Sequence, residues 1–107
     1  MKVLLFNGSP KAKGCTYTVL DEIAKTLKEN GVEAEIIHIG GNVAAGCLGC
    51  GYCGKNGKCI NDSDILNSVI DKVKEADGYV FGSPVHYAAA SGDITAFLDR
   101  LFYSQEI

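Results

Sequence analysis

The segment Lys2–Thr16, KVLLFNGSPKAKGCT, decides the fold that we expect for this chain. Residues 2–6 are almost continuously apolar, and such a run is typical of a parallel strand that is covered on both faces. The sequence NGSP at 7–10 ends the strand, and a helical pattern of apolar residues begins at Thr16. The segment therefore predicts a strand, a polar loop and a helix, the repeating unit of an α/β protein.

The alternation of strands and helices continues along the rest of the chain. Apolar patterns predict further strands at 32–39 and Gly78–Gly82, and helices after Asp64 and after the capping residue Ser91. This order, β-α-β-α-β-α, predicts a three-layer α/β/α sandwich with a parallel sheet over residues 1–107. Such a small parallel sheet would leave an open apolar edge. We therefore expect the chain to be the N-terminal portion of a larger domain, or to be completed by another chain.

Composition and charge argue against several classes of function for this protein. The 107 residues are 47% hydrophobic and 21% charged, which is ordinary for a folded domain. The net charge of −3 argues against general binding to nucleic acid or to anionic membranes. No apolar run has the length of a membrane span, and no signal-peptide pattern opens the chain. We expect a cytoplasmic protein.

Four of the five cysteines lie in the glycine-rich segment 40–60, at Cys47, Cys50, Cys53 and Cys59. In a reducing compartment, clustered thiols bind metal or do redox chemistry more often than they form disulfides. Iron–sulfur clusters use a close C-x2-C-x2-C run with one further cysteine, which is the spacing here. Zinc prefers two separated Cys pairs and fits this spacing less well. An iron–sulfur cluster is the favoured interpretation, with unmetallated or redox-paired thiols second and zinc third.

Two polar loops are predicted at the carboxyl ends of neighbouring strands. The loop at 8–16 places small residues, hydroxyls and lysines before a helix N-terminus, where backbone amides and the helix dipole favour a phosphate. The sequence SPVHY at 83–87 follows the third strand, and in an open parallel sheet both loops meet at one crevice. Together they suit a mononucleotide with a flat ring system. The first loop has neither a Walker A nor a dinucleotide-binding motif, so an ordinary Gly/Ser-rich turn is the alternative.

Three other residues are assigned no chemistry at this stage. Cys15 lies outside the cysteine-rich segment, and we expect it to fill a tight loop position rather than to react. Asp99 and Arg100 are interpreted as a surface or inter-helix ion pair.

Taken together, these motifs resemble those of the flavodoxin-like NAD(P)H-dependent FMN reductases, and specifically their iron–sulfur flavoprotein branch. The resemblance covers essentially the whole chain and is carried by Gly8–Thr16, the four-cysteine segment, Gly57–Cys59 with Asp62, Ser83–Val85 and Leu98–Leu101. It implies a flavodoxin-like fold, an FMN cofactor and NAD(P)H as electron donor. It also implies a homo-oligomer or a complementary chain, with electrons passing between cluster and flavin across subunits, and a redox partner protein.

The resemblance further implies a role for each candidate site residue. Those near the FMN phosphate would be Ser9, Pro10, Lys11, Cys15 and Thr16, and those near its ribityl chain and ring would be Pro84, Val85, His86 and Tyr87. The four clustered cysteines would hold a [4Fe–4S] cluster. We thus expect an FMN-dependent oxidoreductase or electron-transfer flavoprotein. The alternatives are a metal-free NAD(P)H-dependent FMN or quinone reductase, and a non-catalytic fragment or interaction module.

Overall fold

The computed structural model describes residues 1–105, over which three strands and four helices follow one another. The strands are β1 (Lys2–Asn7), β2 (Glu33–His38) and β3 (Gly78–Gly82), and the helices are α1 (Cys15–Glu29), α2 (Cys53–Asn56), α3 (Leu66–Glu75) and α4 (Gly92–Gln105). All of the predicted strands and helices are confirmed. The segment 40–60, expected to lack regular structure, differs in that it contains the single-turn helix α2. This helix ends at Asn56 and is followed by Gly57, which has a left-handed φ of 69°.

The sheet is parallel and has the strand order β2-β1-β3. In register, Leu5 lies beside Ile36 of β2 and Val80 of β3. The chain passes from β1 to β2 on one side and then crosses to β3 on the other, so the strand order reverses between β1 and β3. This order matches the first three positions of the flavodoxin-like order 2-1-3-4-5. The predicted fold class is confirmed.

Strand β1 lies at the centre of two hydrophobic cores, one on each face of the sheet. On one face, Leu5 packs with Leu20 and Ala24 of α1. On the other face, Leu4 and Phe6 pack with apolar side chains of α3 and α4, among them Val69, Ile70, Val73, Phe97 and Leu101. Leu4, Leu5 and Phe6 are fully buried, as the apolar run at 2–6 predicts. The sheet therefore forms the middle layer of the expected three-layer arrangement.

Strand β3 is less buried than its apolar sequence predicts. Tyr79 and Phe81 are 42% and 41% exposed, because β3 forms an edge of the sheet within residues 1–105. The ring of Phe81 still stacks on that of Phe6, with centroids 5.3 Å apart, and meets the edge of the Phe102 ring at 6.2 Å. The prediction that the third strand is buried is wrong for the face that carries Tyr79 and Phe81. The expected open apolar edge of the sheet is observed at β3.

Side chains just before α3 and α4 accept hydrogen bonds from amides in the first turns of these helices. The Ser91 Oγ accepts a hydrogen bond from the amide of Ile94 at 3.3 Å, which confirms the predicted cap of α4. At α3, Oδ1 of Asp64 accepts a hydrogen bond from the amide of Leu66 at 3.1 Å. Across the described part of the chain, no helix is both long enough and apolar enough to cross a bilayer.

The end of β2 packs closely against the loop that follows β1. A Cβ atom at Gly40 would lie 1.9 Å from the carbonyl oxygen of Ser9, so a larger residue there would force the backbone apart. The His38 Nε2 donates a hydrogen bond to the same carbonyl oxygen, with 2.8 Å between the two atoms. These contacts hold the loop that carries the first group of candidate site residues.

We predict that Gly40→Ala lowers the free energy of unfolding by about 1–3 kcal/mol, because the added methyl group overlaps the backbone of Ser9. Urea unfolding of the two proteins measures the difference. The control is Gly92→Ala, whose added Cβ would meet nothing within 4 Å and which should leave stability unchanged or slightly raised. Equal stabilities of the two variants would contradict the close contact.

Candidate functional site

The N-terminus of α1 lacks the side chains that usually accept hydrogen bonds from the first amides of a helix. Its N-cap residue, Gly14, has no side chain to bond the first amides, and the first turn carries no acidic residue. The first amides of an α-helix have no partner within the helix, and the helix dipole makes this end positive. Lys11 and Lys13, both exposed, add positive charge in the preceding loop. This end of α1 can therefore accept an anion such as a phosphate.

The loop between β1 and α1 is shaped by the buried side chain of Asn7. Its Oδ1 accepts a hydrogen bond from the amide of Ser9 at 3.0 Å, and its Nδ2 donates to the carbonyl of Ala12 at 3.3 Å. The Ser9 Oγ in turn accepts a hydrogen bond from the amide of Lys11 at 3.1 Å. The apolar pattern of the sequence identifies Asn7 only as the end of a strand. The feature that indicates its further role is a polar side chain able to form an Asx turn directly after an apolar run.

The second loop, 83–91, is tied to the first at the carboxyl ends of β1 and β3. The amide of Gly8 donates to the carbonyl of Gly82 at 2.8 Å, and the Ser91 hydroxyl donates to the carbonyl of Gly8 at 2.9 Å. The Ser83 Oγ accepts a hydrogen bond from the amide of Ser91 at 2.8 Å, which closes the loop at its base. The two predicted loops therefore do meet at the point where the strand order reverses.

The structure separates the candidate residues of these loops into two groups. Cys15 and Thr16 line a groove between α1 and β3, together with Gly82 and Ser83. Beyond Pro84, the side chains of Val85, His86 and Tyr87 are exposed and do not line this groove, with Tyr87 92% exposed. Nothing within residues 1–105 covers them.

The four clustered cysteines line one cavity. Cys47, Cys50, Cys53 and Cys59 share it with the side chains of Leu48, Ile60, Arg100 and Tyr103. Left-handed backbone at Gly49 (φ 69°) and Gly51 (φ 79°) turns the chain sharply between the cysteines, a conformation that favours glycine. The amide of Gly49 donates to the Cys47 Sγ at 3.3 Å. Cys15 lies elsewhere, at the start of α1.

The chemistry of these four donors distinguishes between kinds of metal site. A close run of three thiols with one further cysteine is the ligand pattern of an iron–sulfur cluster, whereas structural zinc sites commonly use two separated pairs. Among the His, Cys, Asp and Glu side chains of residues 1–105, no group of three or more is arranged to hold a single metal ion. The donor set therefore fits a cluster better than it fits zinc.

Arg100 is a buried residue of the cysteine cavity, which corrects its interpretation as a surface or inter-helix pair with Asp99. Its side chain is 1% exposed and forms a two-point ion pair with Asp64, which is 4% exposed. Its Nε donates to the Cys59 Sγ at 3.4 Å. A charged side chain in a run of helical residues is usually exposed, so the local sequence does not indicate that Arg100 is buried.

The remaining donors of Arg100 bond backbone on both sides of the cysteines. One goes to the carbonyl of Ala45 at 3.3 Å, and another to the carbonyl of Asn61 at 2.8 Å. Cys59 is also held by Asn67, which accepts a hydrogen bond from its amide at 2.8 Å and donates to its carbonyl at 2.9 Å. Of the four clustered cysteines, Cys59 is thus bonded through its amide, its carbonyl and its sulfur.

The carboxylate of Asp64 is kept ionised by its hydrogen bonds. Burial by itself would raise the pKa of Asp64, but donation from Arg100 and from the amides of Ala44 and Leu66 outweighs burial, and the pKa lies below its ordinary value. The pKa of the Arg100 guanidinium is raised although burial opposes this, because it is bonded to Asp64 and to Cys59. Both members of the pair are therefore charged at neutral pH.

Comparison with known proteins gives one family and a set of curated relatives. The family model for NADPH-dependent FMN reductase matches residues 1–106. An iron-sulfur flavoprotein of Methanocaldococcus jannaschii is 35% identical over 100 residues, which are 94% of this chain and 51% of that protein. An iron-sulfur flavoprotein of Archaeoglobus fulgidus is 39% identical over 100 residues, 94% of this chain and 48% of that protein. The chain spans about half the length of the curated relatives it matches.

We predict that Asp64→Asn lowers the free energy of unfolding at pH 7 by about 3–5 kcal/mol, because it leaves the buried Arg100 without a countercharge. Since folding lowers the pKa of Asp64, its contribution is full above the unfolded pKa of about 3.9 and is lost as the pH falls through the folded pKa. The difference between wild type and variant should therefore shrink below about pH 4. Urea unfolding between pH 7 and pH 3 measures it.

The matched control is Asp71→Asn, which removes an exposed ion pair with Lys58 at 3.8 Å and should change stability by less than about 1 kcal/mol at any pH. If Asp64→Asn and Asp71→Asn were equally stable at pH 7, the buried ion pair would contribute no more to the free energy of unfolding than the exposed pair does.

Proposed function

The chain belongs to the NADPH-dependent FMN reductase family, and from this we propose that it binds FMN and exchanges electrons between the flavin and an iron–sulfur cluster on its cysteine loop. The observation that carries the proposal is the meeting of two features at the β1–β3 reversal. The uncapped N-terminus of α1 offers a phosphate site, and the loop 83–91 is hydrogen-bonded directly beside it. A mononucleotide needs both a phosphate anchor and a neighbouring surface for its ring.

In this proposal, the first loop binds the phosphate and the second binds the rest of the flavin. The residues assigned to the phosphate are Ser9, Pro10, Lys11, Cys15 and Thr16, and those assigned to the ribityl chain and ring are Pro84, Val85, His86 and Tyr87. The hydroxyl of Thr18, on the same helix, donates to the carbonyl of Gly14 at 3.1 Å. The half-buried Thr16, on the groove, is the hydroxyl best placed for an incoming phosphate.

The cysteines Cys47, Cys50, Cys53 and Cys59 are assigned to a [4Fe–4S] cluster. Their common cavity, their close run in the sequence and an amide that donates to one of the sulfurs support this assignment over zinc. The curated relatives cited above carry the name iron-sulfur flavoprotein. FMN accepts a hydride, that is two electrons with one proton, and an iron–sulfur cluster carries single electrons, so together they link a two-electron donor to a one-electron acceptor.

We assign NAD(P)H as the donor and a redox protein as the acceptor. A second copy of the chain, or a complementary chain, is proposed to complete the flavin site. The exposed side chains of Val85, His86 and Tyr87 and the open edge at β3 support this, because such apolar surface is usually covered in a working protein. Free thiols in a cavity suit a reducing compartment, and the cytoplasm is the proposed location.

We predict that Thr16→Val weakens FMN binding by about 10- to 100-fold and leaves riboflavin binding unchanged, because one hydrogen bond to a charged phosphate is worth about 1.5–3 kcal/mol. Quenching of flavin fluorescence on titration with the protein measures both affinities. Thr26→Val is the control, since Thr26 lies farther along the same helix and its hydroxyl donates to the carbonyl of Glu22. A loss of riboflavin affinity as large as that for FMN would show that Thr16 does not contact the phosphate.

We predict that the protein, reconstituted with iron and sulfide without oxygen, holds four irons, and that Cys59→Ser lowers the iron content sharply. Cys15→Ser is the control, because Cys15 lies outside the cavity and should leave the iron and sulfide content unchanged. Chemical analysis of iron, sulfide and zinc provides the readout. Flavin binding without iron would favour a metal-free FMN or quinone reductase, and bound zinc in place of iron would overturn the cluster assignment.

A further inference from the structure

We propose that Arg100 is a positioning residue for the metal centre: its Nε–H bond to the Cys59 sulfur holds this ligand in place and raises the reduction potential of the cluster. The inference deepens the proposed function and rests on the cluster assigned there. Arg100 is not part of the C-x2-C-x2-C run or of either flavin loop, and it lies on α4, far along the chain from the cysteines.

The guanidinium is oriented by other groups of the protein. Asp64 bonds both terminal nitrogens of Arg100, and the planar fork leaves the third nitrogen, Nε, directed at the Cys59 Sγ at 3.4 Å. With side chains 1% and 4% exposed, the pair is shielded from water, so the bond to sulfur is not weakened by competing solvent. A lysine at this position could pair with Asp64 but has no second donor fixed toward the sulfur.

The same side chain joins the two ends of the cysteine loop. Arg100 donates to the carbonyl of Ala45, two residues before the first clustered cysteine, and to that of Asn61, two residues after the last. The separation of these two backbone points limits the width of the cavity that all four cysteines line. Arg100 therefore acts on the loop as a whole as well as on one sulfur.

The direction of the effect on the potential follows from charge. Reduction adds an electron to the cluster, so the cluster and its thiolate ligands become more negative. A hydrogen bond and a positive charge at a ligand sulfur stabilise the reduced form more than the oxidised form, which raises the potential. Lys58, next to Cys59 in sequence, is 49% exposed and pairs with Asp71, so water screens its charge.

The experiment compares wild type with Arg100→Lys, with the neutral double variant Arg100→Gln/Asp64→Asn, and with the control Lys58→Gln. Arg100→Lys keeps the charge and the pair but removes the directed donor, and the double variant avoids leaving one charge buried alone. Each protein is reconstituted with iron and sulfide. The cluster potential is then measured by anaerobic redox titration, followed by electron paramagnetic resonance.

We expect Arg100→Lys to bind the cluster and to disfavour its reduced form by at least tenfold, which is about 59 mV for a one-electron couple. The double variant should shift the potential further in the same direction, and Lys58→Gln should shift it less than Arg100→Lys does. A purely structural role would lower the iron content of Arg100→Lys without moving the potential of the clusters that form. An unchanged potential in Arg100→Lys, or an equal shift in Lys58→Gln, overturns the proposal.

If the proposed cluster does not form, the experiment gives a different result. If wild type itself takes up no iron, the cluster assignment fails, and with it the effect on the potential. The positioning role is then measured in the metal-free protein by hydrogen exchange of the amides at 44–61. Faster exchange in Arg100→Lys than in Lys58→Gln supports the anchoring of the loop by Arg100, and equal exchange overturns it.

Discussion

Strand β1 must be buried on both faces, and the other elements are arranged around this requirement. Leu4, Leu5 and Phe6 alternate between the two sides of the sheet, so one helix layer alone could not remove them from water. With α1 on one face and α3 and α4 on the other, the carboxyl end of β1 opens between the helix layers. Both flavin-loop candidates begin at this end of the sheet, and the loop after β2 that leads to the cysteines starts there too.

The periodicity of the sequence is sufficient to predict the three strands and the helices α1, α3 and α4, because helix and strand burial patterns are local. The apolar run before Asn7, the capping residue Ser91 and the spacing of the clustered cysteines all lie within a few residues of the structure they specify. The half-exposure of Tyr79 and Phe81 was missed, because burial of a strand depends on which strands lie beside it. The residues of a strand and its flanking turns do not indicate which strands lie beside it.

The candidate site was predicted less completely than the fold for a similar reason. The cysteines and the two loops are contiguous motifs, whereas Arg100 and Asp64 are 36 residues apart and meet only when α4 packs beside the start of α3. The contact of Gly40 with Ser9 likewise depends on β2 ending against the loop after β1. Residues that join segments distant in sequence have ordinary local surroundings, so no local pattern distinguishes them from surface residues.

Helix α4 sets a fixed spacing between two parts of the fold. Its cap, Ser91, bonds the two loops that are proposed to bind the flavin, and Arg100, nine residues later, bonds the cysteine loop. One inserted residue between them would turn everything beyond it by about 100° around the helix axis and advance it by about 1.5 Å. Arg100 would then leave its cavity while Ser91 kept its place. The number of residues separating the serine from the arginine is therefore under tighter constraint than the identities of most residues between them.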